Sequence, residues 1–318
     1  MKYFLGIDTS NYRTSAAICD SDGNIVRSVR RLLDVKLGET GLRQSDALFA
    51  HTKALPKILE EIGKYDIAAV GYSAYPRDCE GSYMPCFLAG EASARAISAI
   101  NGIPAYPFSH QAGHIEAAVY SCTLGENAKN LVRFDAEGRF LAFHLSGGTT
   151  EVLLYDNGGI TLLGGTLDLN AGQVIDRVGV RMGFPFPSGE MIEKLAEGMP
   201  RSKGVRVSVK GFDCNLAGVE NMAKKRLSDG GNSDDVKKEV AAFTLDTILK
   251  TVDKMTENVL CEHPELPILY AGGVMACGRI KKHLKNKYNC AFALPEYSGD
   301  NAAGTARLCR RRYLRENN

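Results

Sequence analysis

Ser109-His110-Gln111-Ala112-Gly113-His114-Ile115-Glu116-Ala117-Ala118 is the stretch on which the reading of this chain turns. Helical apolar spacing runs through it, so the two histidines, at i and i+4, project from one helix face. Both rings can then reach a single metal ion. The apolar run Ile103-Pro-Ala-Tyr-Pro-Phe108 before it reads as a strand, which sets the pair at a strand's carboxyl end, where open α/β folds bind ligands. A carboxylate is also needed, and Asp300 in Tyr297-Ser-Gly-Asp300-Asn-Ala-Ala-Gly304, just before another helix, is the best candidate. The same spacing also occurs where histidines are hydrogen-bonded packing residues. Gln111 stands in place of the glutamate of H-E-x-x-H, so no peptidase reading follows.

Outward from this helix, Tyr3 to Asp8, Thr14 to Cys19 and Ile25 to Leu33 are predicted to form a β-meander with a turn at Asp20-Ser-Asp-Gly23. Ser45 is placed to cap a helix from Asp46 to about Ile62, with Leu48, Phe49, Leu55, Ile58, Leu59 and Ile62 recurring along it and a kink at Pro56. Ile67 to Tyr72 reads as a strand, Ser73 to Cys86 as irregular, and Phe87 to Ile100 as a helix of small residues. The meander recurs at Phe140 to Leu145, Glu151 to Tyr155 and Ile160 to Leu163, followed by helices near Asn170 to Val180 and Gly189 to Glu197. From Gly198 to about Asn232 no element is legible. A long helix over Asp234 to Val259, a strand Ile268 to Tyr270 before Gly272-Gly273, a strand Cys290 to Leu294 and a helix from about Asp300 to Arg315 follow. Two meander-then-αβ units predict an α/β fold of two lobes with a cleft between them. Residues 1–125, completed by the last helix at about 300–318, form the first lobe, and 126–299 the second.

The 318 residues, 44% of them hydrophobic, support a real core, with about 75% of the unfolded chain's surface buried on folding. Lys and Arg number 39 against 37 Asp and Glu, a net +2, which excludes a strongly basic surface over the whole chain and leaves local basic patches possible. None of the nine cysteines forms a C-x-x-C pair. With no signal-peptide pattern and no long apolar run, the expectation is a soluble, cytoplasmic protein with reduced thiols and no membrane contact.

Gly6-Ile-Asp8-Thr-Ser10, Ser146-Gly147-Gly148-Thr149-Thr150 and Ala271-Gly272-Gly273 each sit at a predicted strand end. Adjacent glycines let backbone N–H groups approach phosphate oxygens, and a single such turn is as well read as an ordinary hairpin. Three of them fit a nucleotide. Neither a P-loop nor a dinucleotide fingerprint occurs. Asp168, Asp176 and Glu190 are candidates for a ribose hydroxyl or cation, or for helix ends. Cys277 near a helix start is either a thiol activated by the helix dipole or a buried inert one.

Together these motifs resemble the tRNA N6-adenosine threonylcarbamoyltransferase family, formerly misnamed O-sialoglycoprotein endopeptidases. The resemblance covers nearly the whole chain and is strongest at Gly6 to Ser10, Ile103 to Ala118, Leu145 to Thr150, Thr166 to Leu195 and Ala271 to Thr305. It implies a two-lobed actin/Hsp70/sugar-kinase type fold of duplicated ribonuclease-H-like domains. It also implies a divalent iron or zinc on His110, His114 and Asp300, and an adenylate, AMP or ATP at Leu145, Ser146, Gly147, Gly148, Asp176 and Gly189. Gly272, Gly273 and Cys277 line the same cleft.

Departures fall where the reaction is decided. The family's Glu-Thr-Ser-Cys-Asp-Glu-Thr is here Asp8-Thr-Ser-Asn-Tyr12-Arg13-Thr14, its Gly-Pro-Gly loop is Ala74-Tyr-Pro-Arg-Asp78, and its Asp-Lys pair is Asp176-Arg177. The asparagine after Ala-Gly-Gly-Val is Cys277, and Ser-Gly-Leu-Lys-Thr is Ala217-Gly-Val-Glu220-Asn221. The chain resembles a divergent paralogue.

The expected activity is metal-dependent transfer of a (threonyl)carbamoyl group from a carbamoyl-adenylate-like donor to an amine, tRNA adenosine by resemblance. Asp8, Tyr12 and Arg13 stand at the reacting end, and partner proteins of the threonylcarbamoylation type are implied. Arg13 favours an anionic substrate or leaving group. Three rivals stand beside it: transfer to a small-molecule or protein amine, a non-catalytic nucleotide-binding or partner-interaction protein, and, from the fold alone, a kinase-like phosphotransferase.

Overall fold

The structure, a computed structural model, describes residues 2–10, 12–34, 42–124, 134, 138–231, 233–298 and 302–317. The chain divides into two compact units, one of Met1–Lys36, Gly41–Leu124 and Glu296–Asn318, the other chiefly Gly125–Pro295.

In the first unit, β1 (Tyr3–Ser10), β2 (Arg13–Cys19) and β3 (Ile25–Leu32) form the meander. After α1 (Gln44–Ile62), β4 (Ile67–Tyr75) joins β1 in parallel. Next come α2 (Leu88–Asn101), β5 (Ala105–Ser109) and the histidine helix α3 (His110–Ser121). The sheet order is β3-β2-β1-β4-β5. Seven of the eight β1 residues are buried, as a central strand covered on both faces requires.

The second unit opens with β6 (Arg139–Leu145), β7 (Thr150–Asp156) and β8 (Gly159–Gly165), then α4 (Ala171–Arg181) and α5 (Gly189–Leu195). A small hairpin, β9 (Ser208–Lys210) and β10 (Asp213–Asn215), leads to α6 (Ala217–Gly230) and the long α7 (Asp234–Glu262). Then β11 (Ile268–Ala271), α8 (Gly278–Lys287) and β12 (Cys290–Phe292) complete a sheet ordered β12-β11-β6-β7-β8. Along its middle α7 is buried on every side. Its threonines tolerate this because Thr244, Thr247, Thr251 and Thr256 each donate to the carbonyl four residues back, at 2.7–2.9 Å.

After α9 (Pro295–Ser298), α10 (Ala302–Asn317) returns to the first unit. It lies hard against β1 and α3. A Cβ on Gly6 would strike the backbone of Ala302 and Ala306, and one on Gly304 would strike the Gly113 carbonyl. Buried Glu116 of α3 then takes Arg307 at 2.8 Å and Arg311 at 2.6 Å from α10.

Three expectations need correction. The helix α1 starts at Gln44, and Arg43 rather than Ser45 occupies the cap position. Its buried stripe is Ala47, His51, Leu55, Ile58 and Ile62. Phe49, off that stripe, is 66% exposed. The stretch after Gly198 is structured, but its strands have three residues each and α6 buries only Val219 and Ala223, too little apolar periodicity to read. No helix among the described residues is long and apolar enough to cross a membrane.

Candidate functional site

In the first unit the carboxyl ends of β1 and β5 meet the start of α3. Ser109 caps α3, accepting from Ala112 N–H at 3.0 Å, and donates to Asp78 at 2.8 Å. This fixes the first turn, on which His110 and His114 stand edge to face with ring centroids 4.6 Å apart. Asp8, at the end of β1, accepts from His110 Nδ1 on Oδ1 and from Ser10 Oγ on Oδ2, both at 3.0 Å. Burial pushes the Asp8 carboxyl up, but the His110 ring and the Ser73 and Ser10 hydroxyls outweigh it and hold it below the ordinary carboxylate range. An ionised carboxylate only accepts, so in this contact His110 Nδ1 is the donor.

Arg13 opens β2 directly opposite Ser10, and the Tyr12 carbonyl accepts from Leu33 N–H at 2.7 Å. Both residues are half-buried. Asp300 lies outside the described residues, and among those described no group of three His, Cys, Asp or Glu is placed to hold a metal ion. Fully buried His51 on α1 pairs its Nδ1 with Thr14 Oγ1 at 2.7 Å, and burial drives its pKa down to about 4.

In the second unit the turn after β6 is built from backbone. Ser146 N–H donates to the Thr149 carbonyl at 2.8 Å, and Gly148 N–H to Ser146 Oγ at 3.2 Å. The start of α4 seats on this turn. Gly172 donates to the Ser146 carbonyl at 3.1 Å, and a Cβ there would lie 2.6 Å from Gly147 N. Gly272, at φ 93°, presses on the Leu145 carbonyl, which brings Leu145, Ser146, Gly147, Gly148 and Gly272 together at the ends of β6 and β11. Gly147 and Gly148 are exposed, and next to Gly272 so is Gly273.

The acidic candidates separate. Asp168 is a helix-end carboxylate, accepting from Leu216 N–H at 2.7 Å and Ala217 N–H at 3.1 Å at the head of α6. Asp176 is buried, burial raises its pKa, and its Oδ1 accepts from Ser188 N–H at 2.8 Å, which fixes the start of α5 at Gly189. Cys277 is the inert alternative: burial pushes its thiol up to about 11, and Glu193 takes the Gly278 N–H of α8 at 2.7 Å. Two departures from the family pattern meet each other, Arg177 reaching Glu220 at 3.1 Å. Sequence reading missed that pair and the Asp8–His110 contact, because the partners are 43 and 102 residues apart.

Comparison with known proteins places these features. The sequence model of the tRNA N6-adenosine threonylcarbamoyltransferase family matches residues 46–307. A tRNA N6-adenosine threonylcarbamoyltransferase of Methanopyrus kandleri is 28% identical over 94% of this chain and 84% of its own. A "probable bifunctional tRNA threonylcarbamoyladenosine biosynthesis protein" of Methanobrevibacter smithii is 29% identical over 96% of this chain, which spans 54% of that relative. The activator of the 2-hydroxyisocaproyl-CoA dehydratase from Clostridium difficile, solved with ADPNP, superposes with a TM-score of 0.56 at 13% identity, covering 99% of this chain and 97% of that one. The fold is of the actin/Hsp70/sugar-kinase type.

Proposed function

The chain belongs to the tRNA N6-adenosine threonylcarbamoyltransferase family, and from that premise we propose that it is a transferase of tRNA threonylcarbamoyladenosine biosynthesis. It moves a threonylcarbamoyl group from an adenylate donor to the adenosine amine of tRNA, in the cytoplasm and together with partner proteins. The observation that carries the reading is the Asp8–His110–His114 arrangement at the carboxyl end of the first sheet.

The donor set fits a divalent iron or zinc. A ligating histidine ordinarily donates its other ring N–H to a carboxylate, as His110 does to Asp8. His110, His114 and Asp300 would hold the ion, and when bound it supplies Lewis-acid polarisation of the carbamoyl oxygen. The chain's own residues do the rest. Asp8 orients the His110 ring. Arg13 stands opposite Ser10, and a positive charge there suits an anionic substrate. The exposed Ser146–Gly148 turn and Gly273 offer backbone N–H groups to the adenylate phosphate, with Gly272, Asp176, Gly189 and Cys277 shaping the surrounding backbone.

Tyr12 and Arg13 also favour a second acceptor class, an anionic small-molecule or protein amine. Purified protein is to be incubated with threonylcarbamoyl adenylate and unmodified tRNA, with and without the family's partner proteins. Modified adenosine in the digested tRNA supports the assignment. Its absence even with partners present, while another amine is modified, moves the chain to the second class, and no transfer to any amine removes the enzyme reading.

A further inference from the structure

The basic runs of the chain meet different fates in the fold. On β3, Arg27 donates to the Glu61 carbonyl at 3.1 Å, Arg30 to the Glu296 carbonyl at 2.6 Å, and Arg31 pairs with Glu61. On α10, Arg307 and Arg311 take Glu116, Arg310 donates to the Ser21 carbonyl at 2.7 Å and Arg312 pairs with Glu316 at 2.9 Å. On α6, Arg226 pairs with Glu239 at 2.8 Å, and Glu220 and Asp229 of the same helix offset Lys224 and Lys225.

The helix α8 differs. Its sequence, Gly278-Arg-Ile-Lys-Lys-His-Leu-Lys-Asn-Lys287, holds six basic side chains and no acidic one. Ile280 and Leu284, at i and i+4, are fully buried. Arg279, His283 and Lys287, again four apart, face α7: Arg279 holds Asp246 at 2.8 Å, His283 lies 3.5 Å from Asp253, and Lys287 reaches Asp253 and Glu257 at 2.9 Å. Lys281, Lys282 and Lys285 are left, with no ion pair among the described residues. Lys282 and Lys285 are exposed, and half-buried Lys281 lies over the Phe292 ring, 5.6 Å from its centroid. Positive charge therefore accumulates on the solvent side of this helix.

What such a face binds follows from its chemistry. The apolar residues of α8 that recur at helical spacing point into the protein, so the helix has no hydrophobic edge with which to enter a membrane surface. Lysine is a point charge on a flexible stem, suited to phosphate oxygens, whose contacts position a nucleic acid without reading its sequence. The helix also begins beside the proposed adenylate site: Gly278 comes five residues after the exposed Gly273, and Lys282 and Lys285 stand about 6 and about 10 Å further along the axis.

We propose that Lys281, Lys282 and Lys285 form a docking face for the phosphate backbone of the RNA acceptor. The proposal rests on the reading of that acceptor as tRNA.

Binding of unmodified tRNA to the full chain is to be measured between about 50 and 200 mM salt. Wild type is compared with Lys281→Gln/Lys282→Gln/Lys285→Gln, with Lys281→Arg/Lys282→Arg/Lys285→Arg, and with Lys224→Gln/Lys225→Gln on α6 as the control. Each phosphate contact contributes about 0.7 to 0.9 to the slope of log K against log salt, so the triple Gln variant should lose about 2 to 3 of it, with affinity lower by at least about tenfold. The Arg variant and the α6 control are expected to bind like wild type, and the loss in transfer to tRNA to fall on KM rather than kcat. A folded triple Gln variant that keeps the wild-type slope overturns the proposal, as does an equal loss in the α6 control. Polyglutamate that competes as well as tRNA would give the face to an acidic protein instead. If the wild type binds no tRNA the docking face falls, while the transfer assay with partner proteins decides the tRNA assignment separately.

Discussion

The two units share one sheet topology and use it differently. Each has a three-strand antiparallel meander whose first strand is then flanked by two parallel strands, β3-β2-β1-β4-β5 in one and β8-β7-β6-β11-β12 in the other. In the first, the central strand ends in Asp8 and Ser10, and side chains converge there with His110 and His114. In the second it ends in Leu145, and the features that converge are backbone: the Ser146–Gly148 turn, the start of α4 and Gly272. The same scaffold thus delivers titratable chemistry at one strand end and a bare peptide surface at the other. The choice lies in the few residues after the strand.

The comparison breaks most visibly at His110. His110→Ala is expected to lower transfer by more than about 100-fold, beyond the usual loss for an outer partner, while Asp8→Asn falls within about 10- to 100-fold. Steady-state assays under saturating donor check both. Equal losses for the two would make Asp8 part of the reacting set rather than the holder of His110.

Next come the glycines that make each strand end possible. Gly304→Ala drives a methyl into the Gly113 carbonyl, and Gly272→Ala adds a left-handed backbone penalty to its contact with Leu145. Each is expected to cost about 3 kcal/mol, read from denaturant midpoints. A neutral result for either would show that its helix or turn gives way without cost.

The units are also expected to differ in acid. Folded His51 titrates near 4, against 6.5 for the free group, so the unfolded chain takes its proton first. Stability in the first unit is therefore full above pH 6.5 and falls by up to about 3 kcal/mol as the pH drops to about 4. In the second unit buried Asp246 is desolvated, but Arg279, Ser202 N–H and Arg201 bind its charge and bring it down to about 2 from 3.8. Its contribution, about 2 kcal/mol, is kept above pH 4 and lost progressively as the pH falls from 4 to about 2. Thermal melts of His51→Gln against wild type should therefore converge between pH 6.5 and 4. Parallel curves there would contradict the burial account.

The smallest effect belongs to Arg177 and Glu220. With Arg177 39% exposed, a double-mutant cycle is expected to give less than about 1 kcal/mol. A larger coupling would mean that the pair fixes α4 on α6.

Much of this was legible beforehand, for a physical reason. Period-two strands with turn glycines and an i, i+4 histidine pair are local signals, and both meanders and α3 stand where that spacing put them. The Asp8–His110 contact is not local, and its partners carry no mark of each other. Position left Cys277 open between an activated and a buried inert thiol, and burial, which the sequence does not print, decides for the inert one. The hidden helix α6 buries only two side chains, so its periodicity was faint.

The most direct measurement is of Co²⁺ and ATP affinity, in parallel, for wild type and the His110→Ala/His114→Ala variant. Division of labour between the two units predicts that the variant loses the cation and keeps ATP within about twofold, since the nucleotide contacts proposed above are backbone groups of the other unit. Loss of both ligands, or cation binding that survives without the histidines, would contradict it.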